Sequence, residues 1–353
     1  MRILIVRLSS MGDVVHTLPA LTDAARADSS IRFDWAVDEA FADIPPWHRN
    51  VDVVFPVALR RWRREMSSTG GRTEVTTFLK SLRDNRYDGI IDLQGEFKSA
   101  LIARLAKGTR SGYDGASARE WGAHLLSHQK FTVQKGTHSM KRMRELLSQA
   151  LQYSHDEDLV DYGIDVNRLA PAPLKINRPY VVFIHSTSWE SKNWPENYWR
   201  ELADKVNAAG FTIVLPWGSE VERRRAQSIA VNKPNRIVLP QLSISQKASI
   251  IHGAQATVGL DTGLSHIAAA LGVPSVTLYG ATDANLCGTV GEHQLQLASE
   301  FECIKCHETT CGFKGSSFKP ACFESLGPEL VWSSLEKMIT VRPAGSAGIY
   351  QLA

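Results

Sequence analysis

Apolar positions along the chain follow two different periods. Short apolar runs such as RILIV near the N-terminus are typical of buried strands, and Val14, Val15, Leu18 and Leu21 then recur at helical spacing. Pro19 lies inside that helical segment, so we expect the helix to kink or restart there. Further candidate strands lie at 33–37, 51–57 and 87–93. The first half is therefore predicted to form a parallel, doubly wound sheet.

The same alternation restarts after a proline-rich segment. LAPAPLKINRP, from Leu169 to Pro179, has no amphipathic period, which is typical of a stiff extended connector. Strand and helix patterns then follow in turn, and a last helix is expected over 329–339. We predict an α/β protein with two Rossmann-like domains and a ligand site where they meet. The predicted ranges are 1–170 for the first domain, 171–179 for a linker, 180–340 for the second domain and 341–353 for a loose tail.

Composition narrows the class of protein. With 43 % hydrophobic and 22 % charged residues the chain is ordinary for a globular protein, which argues against disorder. The apolar start at Ile3 to Val6 is too short for a signal peptide, and no stretch approaches the roughly 20 apolar residues of a membrane span. A net charge of +3 gives no reason to expect nucleic acid as a partner. We therefore expect a cytoplasmic protein.

A carboxylate follows the first predicted strand at the edge where open α/β sheets bind ligands. The segment from Ser9 to Asp13 includes Ser10 and Gly12 and leads into the first helix. Asp13 is the outstanding carboxylate of this segment. The alternative is that Ser9, Ser10 or Asp13 only caps that helix.

Three segments of the second half are suited to an anionic ligand. Lys192, downstream of the first strand, offers a positive charge, and the run from Asp261 to His266 begins a helix whose free amides can bind a pyrophosphate. Glu222 is a candidate partner for ribose hydroxyls. Each feature has an alternative interpretation. Lys192 could lie in an ordinary solvated loop, Thr262 could be only an N-cap, and Glu222 could be an exposed helix acid. The candidate phosphate-binding and ribose-binding residues are Thr187, Ser188, Lys192, Glu222, Asp261, Thr262, Gly263, Leu264 and His266.

Basic residues are concentrated in the first half. LRRWRRE places four arginines around Trp62, and Arg side chains bind phosphates and carboxylates through paired hydrogen bonds. A charged solvated loop is the alternative, but further basic residues nearby favour an acidic acceptor. The candidate acceptor-binding residues are Ser10, Gly12, Arg60, Arg61, Arg63, Arg64, Lys98, Arg119, His138 and Arg142.

Four of the five cysteines fall close together, at Cys303, Cys306, Cys311 and Cys322. Four thiolates suit tetrahedral zinc or a single iron ion, and such a closed site would fasten the loop at 300–324 rather than take part in chemistry. Reduced thiols without a metal and disulfides are the alternatives, and a cytosolic location disfavours disulfides. His307 is a possible substitute for one thiol.

Several segments together are similar to one known family. The segments are MRILIVRLSSMGDVVHTLPAL, PVALRRWRR, IDLQGEFKSA, NWPENYWREL and VGLDTGLSHIAAALGVPSVTLYGATD. Through them the chain resembles the lipopolysaccharide heptosyltransferases of glycosyltransferase family 9, from Met1 to about Asp283, and PVALRRWRR favours the branch that adds the first heptose. The cysteine group after Asp283 departs from that branch's pattern, although related heptosyltransferases carry similar cysteines.

The resemblance implies a GT-B fold with two facing domains, an ADP-heptose donor and a Kdo-lipid A acceptor at the cytoplasmic face of the inner membrane. It implies an inverting transfer without a catalytic metal, in which Asp13 is the general base. Lys192 and residues 261–266 would then contact the donor diphosphate, Glu222 the ribose, and the arginines at 60–64 the acidic acceptor. These roles agree with those expected from the residues themselves.

Three other functions remain open at this point. A heptosyltransferase with a different acceptor would share all of these motifs. A sugar-nucleotide 2-epimerase would also use two Rossmann-like domains, but it gives no reason for the arginines. A non-catalytic nucleotide sensor, with the cysteines as a redox or metal switch, leaves Asp13 without a role.

Overall fold

The computed structural model describes residues 1–341, and the chain divides after Arg168 into two compact units. Each unit contains a six-stranded sheet in which every strand pair is parallel. The predicted α/β class, with two Rossmann-like units, is confirmed. The segment 169–179 contains no helix or strand.

The sheet of the first unit has the order β3-β2-β1-β4-β5-β6. Its strands are β1 (Arg2–Val6), β2 (Arg32–Asp38), β3 (Val51–Val57), β4 (Gly89–Asp92), β5 (Arg110–Tyr113) and β6 (Gln129–Phe131). Its α-helices are α1 (Met11–Ala27), α2 (Leu59–Glu65), α3 (Thr69–Asp84), α4 (Phe97–Leu105) and α5 (Ser139–Leu151).

The sheet of the second unit has the order β12-β11-β10-β7-β8-β9, which is the same arrangement viewed from the other end. Its strands are β7 (Tyr180–Ile184), β8 (Thr212–Leu215), β9 (Arg236–Val238), β10 (Ala256–Leu260), β11 (Ser275–Tyr279) and β12 (Gln294–Ala298). Its α-helices are α6 (Glu196–Ala208), α7 (Glu220–Ala230), α8 (Ile244–His252), α9 (Gly263–Ala270), α10 (Ala284–Cys287) and α11 (Pro328–Val341).

The first helix shows why the sequence pattern leads to this fold. Val14, Val15, Leu18 and Leu21 are fully buried, because their spacing places them on one face. The helix does not restart at Pro19, since α1 runs without a break from Met11 to Ala27. Hydrophobic packing of the buried residues compensates for the one helical hydrogen bond that proline lacks.

The central strands lie deepest in both units. All five residues of β7 are buried, as are four of the five in β1. Trp194 and Trp199 pack edge to face beside β7 with ring centroids 5.0 Å apart, and both are fully buried. Rigid central strands therefore position the loops that follow them.

The C-terminal helix is longer than predicted. It begins at Pro328 and extends to Val341, because Val331 and Leu335 are buried against the second core. Val341 is therefore helical rather than part of a tail, and the rest of the predicted tail lies outside the described residues. Within residues 1–341, no helix combines the length and the apolar character needed to cross a bilayer.

Candidate active site

Both units place their polar side chains at the same topological position. In each sheet the strand order reverses beside the first strand, between β1 and β4 and between β7 and β10. Open parallel sheets bind ligands at the carboxyl ends of the strands that flank such a switch point. The segments 7–13 and 92–98 occupy this position in the first unit, and 185–192 and 261–266 occupy it in the second.

Asp13 forms a charged cluster at the first switch point. Its Oδ2 lies 2.7 Å from Nη2 of Arg7 and 3.4 Å from Nη2 of Arg119. The same oxygen accepts a hydrogen bond from the backbone N–H of Ser10 at 3.2 Å. Asp13 thus belongs to the cap of α1, which was the alternative interpretation, but two arginines also hold it in place.

The environment keeps Asp13 ionised. Burial alone would raise the pKa of its carboxyl group, but the charges of Arg7 and Arg119, with smaller contributions from His16 and the Ser10 amide, lower the pKa well below its usual value. Arg7 is buried, with 1 % of its side chain exposed, whereas 14 % of the Asp13 side chain is exposed. The carboxylate therefore points its charge outward from a buried cation.

A second acidic group follows β4. Burial raises the pKa of Asp92 to about 6, although its oxygens accept hydrogen bonds from the backbone of Gln94 and Gly95 and from the hydroxyl of Ser99. The side-chain oxygen of Gln94 in turn accepts from the backbone N–H of Leu8 at 2.7 Å. This network fixes the loop that leads to Asp13.

The other predicted acceptor residues of this edge have structural partners as well. Lys98 Nζ lies 2.9 Å from Glu96, and Arg119 Nη1 lies 3.7 Å from that same residue. Arg142 donates to the Ser117 carbonyl at 2.6 Å and lies over the ring of Tyr113. His138 caps α5 and its ring lies 5.1 Å from that of His16. All four residues lie in segments that follow β4, β5 or β6 of the same sheet.

The arginine group forms a helix rather than a loop. Trp62 is buried and anchors α2, while Arg60, Arg63 and Arg64 are exposed. Arg61 differs from these three because its guanidinium contacts three carboxylates. The contacts are to Glu39 at 2.8 Å, Glu65 at 3.4 Å and Glu74 at 2.7 Å. The sequence analysis assigned the charge of Arg61 to an acidic acceptor, whereas in the structure its guanidinium is paired with carboxylates of its own unit.

Lys192 and Asp261 form the central ion pair of the second unit. Nζ of Lys192 lies 2.7 Å from Oδ2 of Asp261 and 4.3 Å from the ring centroid of Trp189. The hydroxyl of Thr282 donates to the same carboxylate oxygen at 2.6 Å. The lysine is thus held over the switch point by an acid and an aromatic face.

Asp261 remains an anion. Burial would raise its pKa, but the hydrogen bond with His266 and the charge of Lys192 outweigh this effect and lower the pKa far below the usual value. Thr262 is the N-cap of α9 but makes no side-chain capping bond. The amides of Gly263 and Leu264 follow it at the helix start, where helical N–H groups have no intrahelical acceptor.

The remaining donor candidates lie on neighbouring loops. The Thr187 backbone N–H donates to Asn193 at 3.1 Å, and Ser188 is exposed beside it. Glu222 accepts from the backbone N–H of Ser219 at 3.1 Å and so completes a capping box at the start of α7. Part of its carboxylate is therefore used by its own helix.

The four clustered cysteines line one cavity of about 290 Å³, together with Ser191 and Ala281. Within the described residues, none of the five cysteines forms a disulfide. Burial first, and then the charges of the other three thiols, raise the pKa of Cys322 to about 12. Between Met1 and Val341, no three His, Cys, Asp or Glu side chains are grouped so that they could hold a metal ion. The four thiols therefore surround a space without meeting at one point.

Three residues of this site were missed by the sequence analysis. Arg7 was overlooked because a charge directly after an apolar strand is expected to face solvent. Thr282 and Ser191 are small polar residues with no motif of their own. The only signal available was position. Arg7 and Ser191 follow strands whose carboxyl ends already carried candidate residues, and Thr282 follows the strand β11 beside β10.

Comparisons with known proteins agree with this geometry. The model of glycosyltransferase family 9 (heptosyltransferase) matches residues 75–316. Lipopolysaccharide heptosyltransferase 1 of Pseudomonas aeruginosa is 44 % identical over 350 residues, covering 96 % of this chain and 98 % of that protein. The E. coli heptosyltransferase WaaC with ADP superposes with a TM-score of 0.84 at 39 % identity, covering 96 % of this chain and 100 % of that one. The same enzyme with ADP-2-deoxy-2-fluoro heptose gives a TM-score of 0.81 at 39 % identity, with 96 % and 99 % covered.

The chain therefore belongs to glycosyltransferase family 9, the heptosyltransferases. It is a glycosyltransferase, and the resemblance inferred from its motifs is confirmed. Within the family, its similarity is to lipopolysaccharide heptosyltransferases 1, which are the relatives that match at 44–45 % identity.

Proposed function

We propose that this enzyme transfers heptose from ADP-heptose to the Kdo of Kdo-lipid A, with inversion at the anomeric carbon and without a catalytic metal. Heptose transfer in the lipopolysaccharide inner core follows from the family and from relatives named heptosyltransferase 1. The single observation that carries the mechanism is the pairing of a lysine with a helix N-terminus at the second switch point.

That pairing suits a nucleoside diphosphate. The Lys192 ammonium and the amides of Gly263 and Leu264 lie at the ends of adjacent parallel strands, where they offer positive charge and hydrogen-bond donors. In the E. coli relative, the solved structures contain ADP and a fluorinated ADP-heptose. We infer that ADP-heptose binds this chain at the same strand ends, with Glu222 placed for the ribose.

Asp13 is the proposed general base. In an inverting displacement the acceptor oxygen bonds to the anomeric carbon while the bond from that carbon to the diphosphate oxygen breaks. The acceptor proton passes to Asp13, and ADP leaves with the bonding electrons. Because Arg7 and Arg119 keep the Asp13 carboxylate ionised, it is ready to accept a proton at neutral pH, although it is a weak base.

No metal is assigned to the donor. The negative charge on departing ADP is stabilised by Lys192 and by the start of α9, and such preorganised donors are worth roughly 10²–10³ in rate each. The exposed arginines Arg60, Arg63 and Arg64 follow β3 in the first sheet, where we place the carboxylate of the acceptor.

The test is an assay of purified protein with ADP-heptose and Kdo-lipid A, with product mass and anomeric configuration determined. We expect acceptor-dependent ADP release, one added heptose and unchanged initial rates in EDTA. A requirement for added Mg²⁺ or Mn²⁺ would contradict the metal-free mechanism. ADP release without acceptor would contradict the transfer itself.

We also propose that the enzyme works in the cytoplasm and associates peripherally with the inner membrane. Its acceptor in this proposal is a lipid, and no helix within residues 1–341 is long and apolar enough to span a bilayer.

The four clustered cysteines are proposed to bind one structural zinc or iron ion. Soft thiolates are the appropriate ligands, and the four cysteines line one shared cavity. The thiols as they stand do not form a finished site, so binding requires the loop to close on the ion. Elemental analysis of untagged protein tests this. We expect near one equivalent of metal, lost together with thermal stability in Cys306→Ser, and metal-free, fully active protein would refute the site.

A further inference from the structure

Helix α7 carries three consecutive arginines with different surroundings. Arg223 pairs with Glu220 of the same helix at 2.6 Å, and Arg224 is exposed. Arg225 is the least exposed of the three, with 18 % of its side chain exposed. A charged group that leaves water must gain hydrogen bonds in return. The groups that accept from Arg225 therefore indicate what this arginine does.

Arg225 holds both ends of the segment that carries Lys192. We refer to residues 185–194, between β7 and α6, as the lysine loop. The Nε–H of Arg225 donates to the carbonyl of His185 at 3.1 Å, and its Nη2 donates to the carbonyl of Trp194. The side chains of His185 and Trp194 are fully buried. Because a guanidinium is planar and rigid, these two bonds fix the separation between the ends of the lysine loop.

Further hydrogen bonds close the lysine loop from inside. The side chain of Asn193 accepts from the backbone N–H of Thr187 at 3.1 Å and donates to the carbonyl of Trp189 at 3.1 Å. The backbone N–H of Lys192 donates to the same carbonyl of Trp189 at 3.2 Å. The backbone of Lys192 is therefore tied into a loop whose two ends are set by Arg225.

Glu196 orients the arginine in turn. Its carboxylate lies 3.5 Å from Nη1 of Arg225 and accepts from the hydroxyl of Ser228 at 2.6 Å. Glu196 is the first residue of α6, whereas Arg225 and Ser228 belong to α7, and the two helices are in contact. All three guanidinium nitrogens of Arg225 thus have partners within residues 1–341, and none of these partners is exposed to a ligand through the arginine alone.

We propose that Arg225 is a positioning residue for heptose transfer, which acts by holding Lys192 in place at the donor diphosphate. The inference rests on the proposed function of Lys192 and names the residue that supports it. Nζ of Lys192 lies 2.7 Å from Asp261, so a small shift of the lysine loop would break this ion pair. Displacing a group at a reacting centre by about 1 Å can cost about 10²-fold in rate.

The test is a double-mutant cycle between Arg225 and Lys192. Arg225→Met removes the guanidinium but keeps an unbranched stem, and Arg225→Lys keeps the charge without the planar donor group. Arg224→Met is the matched control, since it removes an exposed arginine from the same helix. Calorimetric titration with ADP gives the affinity, and initial rates give kcat and the two KM values. Thermal unfolding checks that each variant is folded.

We expect Arg225→Met to lower kcat by about 10- to 100-fold and to weaken ADP binding by about tenfold, with the acceptor KM unchanged. In protein that already carries Lys192→Ala, the same change should cost no more than about twofold, because the lysine that it positions is gone. Arg225→Lys should resemble Arg225→Met, since one ammonium cannot hold two carbonyls at a fixed separation. Arg224→Met should match the native protein.

Equal losses with and without Lys192 would show that Arg225 acts on the ligand directly or through Glu222 of the same helix, and would overturn the inference. Native activity in Arg225→Lys would overturn it as well, because charge alone would then suffice. If Arg225→Met does not fold, the cycle with Arg225→Lys decides. Unchanged ADP binding and rate in Lys192→Ala alone would instead refute the proposed diphosphate site, and the inference with it.

Discussion

The two units share one strand order but present opposite charges at their switch points. In the first unit, Arg7 is buried and its partner Asp13 is the more exposed member of the ion pair. In the second, Asp261 is the more buried partner, at 8 % exposure against 15 % for Lys192. Each pair joins an acid to a cation, and the difference lies in which member faces outward.

In the proposed mechanism, this inversion lets one scaffold support two kinds of chemistry. A buried cation that holds an outward carboxylate gives a site suited to accepting a proton. A buried carboxylate that holds an outward ammonium gives a site suited to a phosphate group. The sheet topology decides where the pair stands, and the identity of the buried partner decides what the site does.

The largest expected effect on turnover comes from removing the negative charge of Asp13. Asp13→Asn should lower turnover by about 10³-fold, in the upper range for loss of a general base, while the affinity for ADP stays within about threefold. Initial rates and calorimetric titration with ADP measure the two quantities. Asp28→Asn, just beyond the other end of α1, is the control and should have normal turnover. Retention of more than about a tenth of the native turnover would remove Asp13 from the mechanism.

The second-largest expected effect on the rate comes from removing the positive charge of Lys192. Lys192→Ala should reduce the rate by roughly 10²–10³ and also weaken ADP binding, because the lysine acts on the leaving group. Lys205→Ala is a suitable control, since that lysine pairs with Glu329 on the surface of the same unit. If Lys192→Ala left ADP binding unchanged, the assignment of the diphosphate to the second unit would fail.

Helix α2 carries three exposed arginines and one arginine, Arg61, that contacts three carboxylates. Replacing Arg60, Arg63 and Arg64 together by Ala should raise the acceptor KM by about tenfold, with little change in the donor KM, and the effect should shrink as salt rises. Arg61→Ala should instead lower thermal stability, because it leaves Glu39, Glu65 and Glu74 close together without their cation. Equal effects of the triple variant on both substrates would argue against an acceptor role.

Acid should weaken each unit through a buried histidine. Burial, with a smaller effect from Arg49, lowers the pKa of His48 to about 4, and burial with Arg225 lowers that of His185 to about 3. Both histidines are neutral in the folded protein, and below pH ~6.5 they take up a proton on unfolding. Their contribution to stability is therefore present above pH ~6.5 and is lost as the pH falls towards the pKa of the folded state.

For His48 this amounts to about 2 kcal/mol between pH 7 and pH 5. Urea unfolding at the two pH values should show a smaller loss in His48→Gln than in the native protein. An equal loss in both proteins would mean that other groups control the acid sensitivity.

The central strands were predictable because apolar periodicity fixes them, as β1, β7 and β10 show. The strands β5, β6 and β12 were not predicted. β5 and β6 have only four and three residues, and β6 and β12 alternate little between buried and exposed positions. Single loops that follow strands, such as 9–13 and 261–266, could be assigned to a site because parallel strands place their carboxyl ends together.

The partners of those loops were harder to predict. Arg61 is paired with residues 13 and 22 positions away, and no local pattern reports such contacts. The inverted exposure of the two ion pairs is likewise a property of packing. Only tertiary structure shows that Arg7 is buried beneath Asp13.

The cavity shared by the four cysteines, Ser191 and Ala281 links the thiols to the proposed nucleotide site. Ser191, beside Lys192, donates its backbone N–H to Thr309 at 3.1 Å and its hydroxyl to Glu308, and both acceptors lie between Cys306 and Cys311. On the other side, His307 donates its backbone N–H to Ala281 at 2.9 Å, next to Thr282. Oxidants, alkylating reagents and chelators that alter this loop should therefore change donor affinity from a distance. Preparations handled under air and under reductant should then differ in KM for the nucleotide sugar.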